Sequence, residues 1–231
     1  MTRTLLCCEG YNDQGHMDFS NGQWEEVEGV VQALIKITEP SQDFDFVTKS
    51  RKDIHNFRLQ RKVISRNKAQ ALRLAGLAQK EDCRYIVYHR DEDNRGFEEI
   101  YGQVEELFSV AREHGYRCLA VIPMHMTESW LLADENAFQK AFSRKPTDPV
   151  LPKKPEETWG YKGDDEHPKK YIERVLKHFH KRPCTEIYVE IAKNCDVDVL
   201  KRKCPISFGA FHKDISGFFT DLEKQGVSKK S

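Results

Sequence analysis

Hydrophobic and polar positions along the chain fall into two alternating kinds of run. Short apolar runs at residues 4–8, 85–88 and 117–122 read as buried strands, and residues 43–48 alternate polar and apolar as a half-buried strand does. Between them, apolar residues recur at helical spacing. Trp24, Val27, Val30, Val31, Leu34 and Ile35 predict a helix over residues 23–37, ended by Pro40. Residues 69–80 have strong helix propensity despite Gly76. Ile100, Val104, Leu107, Phe108 and Ala111 stripe a helix over 97–114, and a fourth helix opens at Thr127 and runs to about Phe142. Four strand–helix repeats in this order predict an α/β domain with a mostly parallel central sheet flanked by helices.

The pattern changes after Ser143. Residues 144–167 are rich in proline and charge and read as one long polar loop. Residues 169–180, 185–194, 196–203 and 207–222 then read as short helices. The expected organisation is an α/β core over residues 1–142, with residues 143–231 forming the loop and a helical extension packed on that core.

Charge narrows the classes of partner. The chain carries 37 Lys and Arg against 37 Asp and Glu, so whole-molecule attraction to nucleic acid is not implied and any polyanion site must be a local patch. One such patch is the basic stretch after the second strand, with Lys49, Arg51, Lys52, Arg58, Arg61 and Lys62 as candidate phosphate contacts. A solvated helix face is the alternative for these residues. No apolar run approaches the length of a membrane span, and the segment at residues 4–8 is short for a signal peptide, so the expected location is cytoplasmic. The seven cysteines form no CxxC pair, which argues against a zinc ribbon.

The candidate chemistry lies where the strands end. The run Tyr85–Tyr88 passes through His89 and Arg90 into Asp91, Glu92 and Asp93. Clustered carboxylates at a strand end repel one another unless a cation sits among them. Asp91 and Asp93 are two apart and can face one site in an extended chain. Glu9 follows the first strand, and Glu128 and Asp134 follow the fourth. In parallel sheets, sites form beyond the carboxyl ends of the strands, so these acids converge on one edge. Hard cations such as Mg²⁺ or Mn²⁺ prefer such oxygen ligands, and a site of this kind can act on a phosphodiester. Asp134 reads as structural, Trp130 reads as core, and the phenylalanines of 207–222 read as core or a partner interface.

Cys7-Cys8-Glu9-Gly10 followed by His89-Arg90-Asp91-Glu92-Asp93 resembles the TOPRIM signature of topoisomerase–primase domains and related nucleases. Glu9 matches the first-strand glutamate, and Asp91 and Asp93 match the DxD pair. With Glu128 to Asp134, His167-Pro-Lys-Lys-Tyr and Cys204 to Phe211, the chain is similar to a family of short TOPRIM-like proteins encoded beside ATPases in bacterial defence loci. Asp13, at a spacing unlike the one most typical of TOPRIM nucleases, is an extra candidate ligand.

The resemblance implies a TOPRIM-like (Rossmann-like) fold and Mg²⁺-dependent cleavage of DNA or RNA. Glu9, Asp91 and Asp93 would be catalytic, and the metal would be held by these three and Glu128. It further implies an ATPase partner in antiphage defence, and is compatible with a homo-oligomer. Two other readings stay open: a non-catalytic regulatory subunit docked on an ATPase, and another DxD metal-dependent phosphotransfer enzyme. Within the acidic triplet, Glu92 is expected to point away from the metal, so that Glu92→Ala is tolerated where Asp91→Ala is not.

Overall fold

The computed structural model describes residues 2–20, 23–59, 65–147, 150–157 and 164–219. Strand β1 (Thr2–Cys8) leads into a single helical turn, α1 (Tyr11–Gln14), and a hairpin of β2 (His16–Ser20) and β3 (Gln23–Val27). Helix α2 (Val30–Thr38), strand β4 (Phe44–Ser50), and helices α3 (Arg51–Asn56) and α4 (Arg66–Lys80) follow. Next come β5 (Tyr85–His89), α5 (Phe97–Glu113), β6 (Arg117–Val121), α6 (Thr127–Leu131) and α7 (Glu135–Phe142). The described chain ends with α8 (Pro168–His178), α9 (Thr185–Asn194), α10 (Val197–Lys203) and α11 (Ser207–Phe219).

The central sheet has the order β4-β1-β5-β6 and is parallel throughout. Helices cover both faces, giving the Rossmann-like α/β architecture that the strand–helix order predicts. The alternation of side chains along each strand divides the core. Leu6, Cys8, Val87 and Val121 face α2 and α7 to α11, whereas Leu5, Cys7, Ile86 and Tyr88 face α3, α4 and α5. Because β1 and β5 are covered on both sides, their sequences are unbroken apolar runs.

Two elements differ from the expected pattern. The helix expected over 23–37 begins only at Val30, and residues 23–27 instead pair antiparallel with 16–20. Gly29 separates the two, because its backbone lies against those of Asp13 and Gly15 and leaves no room for a Cβ. The helix expected over 127–142 is two helices. Asp134 caps α7 by accepting the N–H of Asn136, and accepts the N–H of Asp196 as well, both at 2.9 Å. This buried carboxylate is therefore structural.

A buried polar chain ties the long polar loop to the core. Glu156 accepts the N–H groups of Ile206 and Ser207 at 2.9 and 2.7 Å, and the Ser207 hydroxyl at 2.5 Å. Ser207 Oγ in turn accepts the indole N–H of Trp130 at 2.7 Å. The Trp130 ring lies edge-on to Phe208 and stacks near Phe211. The Glu-Ser-Trp segment after β6 and the Ser-Phe-Gly-Ala-Phe segment of α11 thus pack on each other.

Candidate functional site

The connection from β1 leads to β4 on one side, and the next connection returns across β1 to β5 on the other. The topological switch point therefore lies between β1 and β5, where the loops diverge and open a crevice. Glu9 follows β1, Asp91 follows β5, and α6, carrying Glu128, follows β6. All lie on the same edge of the sheet.

Asp13, Asp91 and Glu128 act on one another electrostatically. Glu128 is 7% exposed, and burial, followed by the charge of Asp13, pushes its carboxyl up to about 8. Asp91 is also raised, first by burial and then by Asp13, against the opposing effect of His89. Its Oδ1 is buried and makes no well-formed hydrogen bond, its nearest polar neighbour being His89. Lys169, in the first turn of α8, faces this group. Burial would lower its pKa, but Glu128, Asp91, Asp13 and Asp93 together raise it, so its ammonium stays charged.

His89 lies beneath the carboxylates. Its side chain is wholly buried, with Nε2 3.4 Å from Asp91 Oδ1 and 3.0 Å from Thr127 Oγ1. Burial disfavours the imidazolium, but Asp13, Asp91 and Cys8 outweigh it and hold the pKa well above the usual histidine value. Burial pushes the neighbouring Cys8 thiol up to about 11, which makes it a poor nucleophile at neutral pH.

The remaining expected residues lie around this centre. Glu9 is ion-paired with Arg51 at the end of β4. Asp93 has a positive φ of 54° and lines a cleft of about 330 Å³ with Asn94, His125, Met126, His167, Pro168 and Lys169. Glu92 is buried and accepts the backbone N–H groups of Asn94, Gly96 and His125. The expectation that Glu92→Ala is tolerated is thereby corrected, because the side chain joins two loops of the site.

Of the basic residues, Lys49 pairs with Glu81 at 2.9 Å, and Lys52 and Arg58 are exposed. Arg61 and Lys62 lie outside the described residues. Arg51 lines a pocket of about 120 Å³ with Ile54, His55, Arg66, Gln70 and Arg73. Arg73 was missed in the basic stretch because it lies on α4, beyond the run of cations. Its spacing from Arg66 and Gln70 along one helix face is the signal that could have found it.

The donor chemistry at the switch point suits a hard divalent cation: Asp13, Asp91 and Glu128 act on one another's charge there, and Asp91 Oδ1 is buried against His89 alone. Among the described residues, no three His, Cys, Asp or Glu side chains are gathered so as to hold a metal ion as they stand. Nor, among the described residues, is any helix long and apolar enough to cross a membrane.

Fold and site together define a Rossmann-like α/β protein with a carboxylate group at its switch point and cations on either side. Residues 23–216 match the family described as a domain of unknown function (DUF4276), and the chain belongs to that family. No curated protein and no solved structure matches it.

Proposed function

We propose that the protein is a divalent-cation-dependent phosphodiesterase acting on DNA or RNA, with Mg²⁺ or Mn²⁺ as cofactor. The observation that carries this reading is the placement of Asp13, Asp91 and Glu128 beyond the ends of β1, β5 and β6 at the switch point, where their charges act on one another and on Lys169. Carboxylates forced together in a dry site raise one another's pKa, and a divalent cation removes that penalty. The resemblance of Glu9, Asp91 and Asp93 to the TOPRIM acids supports the same chemistry.

In this reading Asp91, Glu128 and Asp13 would hold the cation, which would supply charge neutralisation and water activation at the phosphodiester. His89 is a positioning residue. As an imidazolium between Asp91 and Thr127, it orients the Asp91 carboxylate from below. Lys169 neutralises charge developing on the phosphate. Glu9 joins the site when Arg51 releases it.

The engagement of Glu9 by Arg51 favours a second reading, a non-catalytic subunit that docks on a partner ATPase. That partner, and a role as effector in antiphage defence, rest on the family resemblance alone.

The test is cleavage of single- and double-stranded DNA and RNA with Mg²⁺ or Mn²⁺, comparing wild type with Asp91→Asn and Glu128→Gln, with and without a co-encoded ATPase. The catalytic reading expects cleavage to fall at least about a hundredfold in both variants, the scale on which single groups stabilise transition states. Equal cleavage by all three proteins removes it. Absence of cleavage together with a stable ATPase complex that survives both substitutions establishes the second reading.

A further inference from the structure

Beside the carboxylate site, at the carboxyl end of the edge strand β4, α3 and α4 enclose a second concavity of different chemistry. Arg51 and His55 are four residues apart on α3. Arg66, Gln70 and Arg73 recur at i, i+4 and i+7 on α4. These side chains, with Ile54 at the base, line a pocket of about 120 Å³. Residues at these spacings share a helix face, so two polar stripes look at each other across the pocket.

The pocket holds three guanidinium groups and little to balance them. Arg51 pairs with Glu9. Among the described residues, Arg66 and Arg73 pair with no carboxylate, and the Nε of Arg73 is buried with no hydrogen-bond partner. The nearest acid on α3, Asp53, is turned back to cap its own helix through Ser50. Gln70 donates to the Tyr88 hydroxyl at 3.1 Å, which fixes the floor against β5. A buried guanidinium nitrogen without an acceptor is costly unless an anion fills the space.

Size and geometry narrow the anion. The volume corresponds to about four waters, room for a phosphate group with a little solvent and too small for a nucleobase besides. Planar guanidinium forks match the oxygens of phosphate and bind them bidentately. We propose that Arg51, Arg66 and Arg73, with His55 and Gln70, form a binding pocket for a phosphate group of a nucleic-acid strand.

Position supports this occupant. Successive strand ends along the sheet edge present Arg51, Glu9, Asp91 and then Glu128. A strand with one phosphate in the arginine pocket is thereby led along the edge toward the carboxylates. Arg51 belongs to both places, so a phosphate that draws it away frees Glu9. The nucleic-acid identity of the ligand rests on the phosphodiesterase reading. The phosphate pocket itself does not.

The experiment measures binding without catalysis, in metal-free buffer, using full-length protein carrying Asp91→Asn. Inorganic phosphate and short oligonucleotides with a 5′-phosphate or a 5′-hydroxyl are titrated. Adding Arg66→Gln or Arg73→Gln is expected to weaken oligonucleotide binding about tenfold each, the loss of one charge-assisted contact to phosphate. Each is also expected to reduce the salt dependence. Loss confined to the 5′-phosphorylated strand assigns a terminal phosphate, and equal loss in both assigns a backbone phosphate. Binding of inorganic phosphate alone, sensitive to the same arginines, keeps the pocket and overturns its nucleic-acid ligand. Unchanged affinity in folded variants overturns the pocket. Arg66 is exposed, so Arg66→Glu provides a folded charge reversal should Arg73→Gln misfold. Cleavage that fails while this binding holds counts against the phosphodiesterase reading and leaves the pocket standing.

Discussion

The carboxylate of Glu92 accepts the backbone N–H of His125 at 3.1 Å, joining the loop after β5 to the loop after β6. The same carboxylate accepts the N–H groups of Asn94, at 3.0 Å, and Gly96 within its own loop. Glu92 is thus the clamp that holds Asp91 and Asp93 on one side and the start of α6 on the other.

Glu92→Ala is expected to destabilise the protein by about 2 kcal/mol. It removes a charged acceptor from three N–H groups, two of them near enough to solvent to be rehydrated. Urea denaturation of the variant measures this. A loss below about 0.5 kcal/mol would show that the loops hold without the clamp.

The buried acids set a pH dependence whose sign is fixed by their direction of shift. Folding raises Glu128 from an ordinary 4.5 to about 8, so between these values the folded protein keeps a proton that the unfolded chain has lost. Stability is then fully present below pH 4.5 and declines as pH rises through 8, by about 1.4 kcal/mol per unit at most. His89, raised above 6.5, adds a decline of the same sign above that pH. Denaturation midpoints in metal-free buffer between pH 5 and 9 should fall with pH, and Glu128→Gln should flatten the slope below pH 8. A slope unchanged by the substitution would place the titration elsewhere. Mg²⁺ should restore the lost stability at high pH, because the ionised carboxylate is the ligand.

Gly10 bears on Asp13 by close approach. A Cβ there would meet the Asp13 carboxylate, the movable end of a side chain. Gly10→Ala is therefore expected to shift stability by less than about 1 kcal/mol while displacing Asp13 from the site. Since the charge of Asp13 is the leading influence raising His89 against burial, the imidazole pKa should fall. NMR titration of His89 follows this independently of activity. An unchanged His89 titration would mean that Asp13 keeps its place.

Much of this architecture is legible in the chain itself. The unbroken apolar runs at β1 and β5 announce strands covered on both faces, and the strand–helix alternation announces a parallel sheet. The acids that end β1 and β5 mark the switch point, because turn and ligand chemistry is written locally where a strand stops. Hairpin β2–β3 was not legible, since its pairing with residues up to eleven positions away competes with a helical period that continues into α2. The partners of the acids were not legible either. The alternation of facing sets Glu92 apart from Asp91, but nothing local shows that Glu92 becomes a backbone clamp across two loops or that Asp91 is buried against His89. Asp13, Lys169 and the Arg66–Arg73 stripe join the site only because the sheet order places β4 beside β1, and α8 returns across the same edge from far along the chain. Local residue order is enough to say which strands are buried and where charge gathers. Tertiary structure decided which charges face one another, because burial and pairing are properties of distance in space.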